Sequence, residues 1–217
     1  MTMTLLKSLG AAALLVAAVF PLAEAQEAHP MGFFVTSVGP GNGGDLGGLE
    51  GADAWCTKLA TDAGAPARDW RAYLSTQEEG KRGISARERI GLGPWYNANG
   101  ELIASDLDML HLNPNIVKRT AVDESGNPVK GRGDSANEHD ILTGSMSDGT
   151  AYFPSVTDDK TCSNWTSSGE GSATVGHHDR HGGGNTSWNA AHDSRGCSAD
   201  ALKSTGGNGY FYCFAED

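Results

Sequence analysis

The sequence predicts an α+β domain of short elements, and three observations carry that prediction. An early segment, GGLEGADAWCTKLATDAG, repeats apolar residues at helical spacing. The segments after it are short, strand-like and divided by Gly, Asn and Asp turns. Four cysteines follow an export signal. Thirty glycines and a small aromatic share agree with a loop-rich chain. The length predicts one domain with room for a core, and no internal repeat, heptad or long low-complexity tract is visible.

The export signal comes from Lys7, the apolar run AAALLVAAVF at 11–20, Pro21 and the small-x-small triplet Ala23, Glu24, Ala25. These read as a secretory signal peptide over residues 1–25, cut before Gln26. The run is shorter than the roughly 20 apolar residues a bilayer span requires, and nothing later approaches that length. The expectation is a secreted, periplasmic or cell-surface protein with no integral membrane segment in the mature chain. The leader carries one Lys and one Glu, so the net charge of −11 is unchanged by cleavage. Such a balance repels nucleic acid and anionic membrane and leaves neutral or cationic partners.

In order, Leu49, Ala52, Cys56, Leu59, Ala60 and Ala63 predict an amphipathic helix stopped at Gly64. RAYLS at 71–75 predicts a strand, and Ser85 with Glu88 resembles a capping box opening a short helix. WYNANGELIA predicts a hairpin about Asn99-Gly100. DLDML at 106–110 predicts a helical turn, NIVKRTAV a strand, and ILTGSMSDGTAYF a strand, a tight Asp148-Gly149 turn and a return. A polar loop is expected from TCSNWTSS to about Cys197, and GYFYCFAED predicts a final strand. Cysteines 56, 162, 197 and 213 include no C-x-x-C pair, so two disulfides are expected rather than a thiolate metal site, and spacing leaves all three pairings open.

The order GADAWC, AGAPARDWRAYLS, ISARERI, WYNANGELIAS, TGSMSDGTA, TCSNWTSS and terminal YFYCF resembles the bacterial lectin-like family DUF1554. It is more distantly similar to the endostatin domain of collagens; both have the C-type lectin-like fold. The similarity runs from about Phe33, which implies a short segment at 26–32 and a lectin-like domain over 33–217. The resemblance implies nested disulfides, Cys56 with Cys213 and Cys162 with Cys197. It does not imply an established biochemical activity; the expectation for the whole chain is a non-enzymatic binding module for a glycan or an extracellular or envelope protein. No EPN or QPD triplet is present and Trp188-Asn189 is followed by Ala190, so the usual calcium-dependent sugar site is not expected. The acidic balance disfavours endostatin-like heparin binding.

The expected ligand face is the 166–196 loop with the neighbouring hairpin, through Tyr152, Trp188, Asn185, Asn189 and Asp148. For Trp188, burial is the stronger expectation. Within that loop GHHDRHGGG concentrates imidazoles. His177, His178, His181 and His192 are the candidate metal ligands for zinc or copper, with Asp179 or Asp193 as an oxygen donor. A solvated polar loop and a metal-dependent hydrolase are the competing readings, and a structural or adhesive surface protein is a third. Asp106, Asp108, Asp148, Asp158 and Asp159 could offer oxygens to calcium but read as turn acids, since no D-x-D-x-D-G run is present. GRGDS at 131–135 reads as a turn, and Asn164 and Asn185 match glycosylation sequons. No G-x-S-x-G or HExxH motif supports catalysis.

Overall fold

The computed structural model describes residues 29–216; the leader read over 1–25 lies outside them, as does Asp217. The architecture is α+β with few, short helices. In chain order it runs β1 (Phe33–Val35), α1 (Gly48–Asp62), β2 (Asp69–Ala72), a 3-10 turn (Ala86–Glu88), β3 (Trp95–Tyr96), β4 (Leu102–Ala104) and α2 (Leu107–Leu112). There follow β5 (Asp140–Leu142), the single turn α3 (Cys162–Trp165), β6 (Thr174–His177), β7 (His192–Asp193), α4 (Ala199–Thr205) and β8 (Gly207–Glu216). Among the described residues no helix is long and apolar enough to cross a membrane.

Strand β8 is the axis of the main sheet. It pairs antiparallel with β1 (Phe33↔Phe214) and β2 (Arg71↔Phe214) and parallel with β5 (Leu142↔Phe211); β6 and then β7 extend the sheet beyond β5. Side chains alternate along a strand. Phe211, Cys213 and Ala215 therefore share one core with Phe34, Ala52, Cys56 and Leu59, while Tyr212 and Phe214 share a second with Phe33, Tyr73, Ile90 and Trp95. Burial on both faces is why GYFYCFA reads as a nearly unbroken apolar run.

Helix α1 buries Ala52, Cys56, Leu59 and Ala60, and Gly64 follows it at φ 76°. Its Asp53 receives both oxygens' worth of Arg89 (2.8 and 2.6 Å) and the Ala72 amide (2.9 Å), tying the helix to β2. The disulfides join Cys56 to Cys213 and Cys162 to Cys197, the nested pairing that the family resemblance implies. Trp165 is fully buried in the same core as Cys162.

Four segments depart from expectation. NIVKRTAV is not a strand: the Val117 carbonyl accepts from the amides of Thr120 and Ala121, which curls the backbone into turns. The return limb of the 140–153 hairpin does not pair with β5, whose two edges are taken by β8 and β6; only the tight turn survives, closed by Met146 N to Thr150 O (2.9 Å). The supposed polar loop contains β6, all four of whose residues are buried, and the short β7. The turn α3 is left-handed, with φ between 47° and 66° at Cys162, Ser163, Asn164 and Trp165. Non-glycine residues resist that conformation. Here a disulfide, the Trp165 indole donating to Ser75 O (2.8 Å) and the Asn164 amide clasping the Gln77 backbone (2.7 and 2.9 Å) hold it.

Candidate metal centre

The β5–β6–β7 end of the sheet gathers histidines around one carboxylate. The register sets Asp140 opposite His177 and Val175 opposite His192. His139, just before β5, turns its ring toward the same point, so His139, Asp140 and His177 meet there with His192 beside them. The Nε2 atoms of His139, His177 and His192 lie 3.2, 3.3 and 3.5 Å from Asp140 Oδ1. The Nε2 atoms of His177 and His192 are 3.0 Å apart, and the rings of His139 and His177 stack at 4.1 Å. Donor atoms of His139, Asp140 and His177 all fall within 4.8 Å of one another. The side chains of these three are 6, 1 and 4 % exposed; that of His192 is 39 % exposed.

Burial pushes the Asp140 carboxyl up, but the adjoining His177, His192 and His139 imidazoles outweigh it and hold the group below its ordinary value. Contact with Asp140 in turn raises the His192 imidazole against the opposing effect of burial. Despite this crowding, neither Asp140 oxygen accepts a hydrogen bond of acceptable geometry, and both are inaccessible to water. A buried carboxylate whose near polar neighbours are imidazoles is the kind of position that a cation completes.

The outer contacts prepare the imidazoles as ligands. Asp179 Oδ1 sits 3.1 Å from His139 Nδ1 and also accepts the His181 amide (3.0 Å), while Oδ2 accepts the Arg132 amide (2.7 Å). Burial raises the Asp179 carboxyl, and these donors overcome it and keep it well below the usual range. An ionised acceptor at Nδ1 selects the Nδ1–H tautomer, so the Nε2 lone pair of His139 points toward Asp140. Likewise His192 Nδ1 lies 3.1 Å from Asp193 O, which leaves its Nε2 facing inward. Nε2 atoms turned toward one carboxylate oxygen are placed to share a cation with it.

Of the four histidines named as candidate ligands, the structure brings together His177 and His192 only. His178 is buried facing elsewhere, its Nε2 3.0 Å from Lys130 O, because adjacent strand residues point to opposite faces; burial holds its imidazole below the ordinary value. His181 is exposed and lines a separate pocket with Lys118, Arg119 and Arg180. Asp179 serves behind His139, and Asp193 pairs with Lys160 (2.6 Å) rather than entering the centre. His139 and Asp140 carried no motif in the sequence; only strand register joins them to His177.

The expected ligand face is divided. Trp188 and Asn189 are 3 and 1 % exposed, and Asn189 donates to Tyr73 Oη (3.0 Å), so neither is presented to a ligand. Asn185 and Asp148 are exposed and Tyr152 half-buried, but their polar atoms have internal partners in Ala190 O, Thr150 and Thr174. The other acids act locally: Asp106 caps α2 at Met109 N (2.8 Å), and Asp159 accepts the Thr161 amide (2.9 Å). The GRGDS segment is an exposed turn whose Asp134 is bound to Lys118 (2.7 Å) and to Gly131 N (2.8 Å). Comparison of the chain with family models and with curated proteins returns no match.

Proposed function

We propose that this chain is an exported, disulfide-stapled domain of C-type lectin-like type whose ligand is a divalent transition metal ion. The ion would be Zn²⁺ or Cu²⁺, held by His139, Asp140 and His177. One observation carries the reading: a carboxylate 1 % exposed, without a hydrogen bond, has three imidazole Nε2 atoms within 3.5 Å of a single oxygen. Imidazoles with one carboxylate suit zinc or copper, whereas calcium and magnesium prefer all-oxygen sets. The lectin-like family assignment rests on the ordered motifs, and the nested disulfides support it.

Metal binding is favoured over glycan binding because the aromatic and amide groups expected to meet a sugar are buried or internally bonded. It is favoured over hydrolysis because the three inner donors are almost wholly enclosed. Titration calorimetry with Zn²⁺ on protein carrying no histidine tag is expected to give one site per chain, lost in Asp140→Asn and in His177→Ala. Unchanged stoichiometry in both variants, or no site in the parent, refutes the reading.

A further inference from the structure

We propose that His192 is the closing fourth donor of this centre, and that the ion thereby staples the 178–191 loop to the β5 edge. The proposal rests on the metal reading above and adds what the metal controls. Zinc and copper bound by nitrogen and oxygen take donors at about 2.0–2.1 Å, and a tetrahedron of that size has donor–donor edges of about 3.3 Å. Four of the six donor pairs, at 3.0, 3.2, 3.3 and 3.5 Å, bracket that edge, and three of them share Asp140 Oδ1.

The four donors are unequally anchored. Asp140 lies on β5 between β8 and β6, His177 ends β6 with its amide on Ser187 O (2.9 Å), and Asp179 braces His139. His192 reaches the same oxygen from the sheet edge, its Nε2 3.5 Å from Asp140 Oδ1 and 3.0 Å from His177 Nε2. It sits on a two-residue edge strand, both of whose residues are exposed. Yet its outward Nδ1 already has a carbonyl partner at Asp193, the support that a ligating imidazole needs to keep Nε2 turned inward. Asp193 is itself fixed by Lys160 (2.6 Å) and Thr174 Oγ1 (2.9 Å). Three enclosed donors and one on an exposed edge strand describe a site that closes last at His192.

The loop that leaves β6 at His178 is already held on its return limb, where Ser187 O accepts the His177 amide and Trp188 and Asn189 are buried, so closure at His192 would act on the outer stretch over 181–186. Its tip contains Gly182, Gly183 and Gly184, with positive φ at the first two. Such a stretch loses much backbone freedom when ordered. Joining its two ends through one ion restricts the open states as a disulfide across the same loop would. The loop also carries Arg180, half-buried and at φ 54°, which supplies a tryptic bond where that stretch begins.

The test is limited trypsin digestion, following cleavage after Arg180 by mass spectrometry, with and without Zn²⁺, alongside calorimetric titration with Zn²⁺. Cleavage from a locally opened form tracks the population of that form, so saturating Zn²⁺ is expected to slow it at least about tenfold in the parent. His192→Ala is expected to keep one ion on the inner trio, bound about 100-fold or more weakly, since loss of even an outer support costs 10–100-fold. In that variant the loop should lose its protection at full occupancy, and His192→Asp, which restores a donor, should recover part of both. If the parent takes up no ion, the metal reading itself fails. If His192→Ala binds Zn²⁺ as tightly as the parent, or stays equally protected when saturated, the ion is held without His192 and this inference is overturned.

Discussion

At the scale of single residues, Asp140 is the side chain around which the centre is built. Its carboxylate sits against imidazoles that hold it ionised despite burial, and the amide isostere loses that attraction along with the charge. Asp140→Asn is therefore expected to lower the stability of the apo protein by about 1–3 kcal/mol and to abolish the thermal shift that Zn²⁺ produces in the parent. Urea melts with chelator and with metal check both effects, and a variant that gains stability without metal, or keeps the shift, contradicts the argument.

His111, remote from the centre, makes a separate pH test. Burial lowers its imidazole from the ordinary 6.5, its neighbour Arg87 adds to the effect, and the Leu107 carbonyl, Asp148 and Asp108 oppose it. A base with a depressed folded pKa binds fewer protons folded than unfolded. Its contribution is complete above about 6.5 and is lost as the pH falls below that value. The fall in melting temperature between pH 7 and pH 5.5 is expected to be shallower in His111→Gln than in the parent; parallel curves would show that His111 does not contribute.

Among elements, the close approach of β6 to the 187–189 segment is what turns His177 inward. A Cβ on Gly176 would stand 1.8 Å from Trp188 O, so no side chain fits without moving the backbone. Gly176→Ala is expected to destabilise by about 3 kcal/mol and to lose Zn²⁺ binding with it; a stable, metal-competent variant would remove this role. The α3 turn predicts the reverse. Ser163 is exposed at φ 53°, so Ser163→Gly relieves strain without removing a core contact and is expected to raise stability by up to about 1 kcal/mol in urea melts.

How legible these elements are follows from their physics. Helix α1 and strand β8 could be read because their apolar residues recur at the period of the structure they form. The Asn99-Gly100 hairpin could be read because Gly100, at φ 76°, supplies the conformation its turn requires. Strand β6 could not: its residues are TVGH, and polar side chains are buried there by neighbouring strands on both edges rather than by an apolar pattern of their own. For the same reason the candidate ligands read from the sequence include only two of the side chains that the sheet edge gathers, His177 and His192. His139 and Asp140 enter through the pairing of β5 with β6, a relation between distant segments that leaves no local motif.

For the molecule as a whole, the two disulfides and the candidate centre divide the stapling. Cys56–Cys213 closes 157 residues and Cys162–Cys197 closes 35, worth about 5 and about 4 kcal/mol in the chain-entropy model. The first joins α1 to the axial strand, and the second fixes the ends of the segment that carries β6 and β7. The ion would add a third constraint at the sheet edge that neither disulfide reaches. Cys56→Ser is accordingly expected to lower stability more than His192→Ala in metal-free protein, as read by urea midpoints.

The claim on which this account turns is the position of the ion. Crystals of tag-free protein soaked in Zn²⁺ and measured on both sides of the zinc absorption edge should show one strong anomalous peak, about 2.0–2.1 Å from Asp140 Oδ1 and from the Nε2 atoms of His139 and His177. A strong peak at exposed His181 with none beside Asp140, or no peak at all in protein that calorimetry reports as saturated, would contradict it.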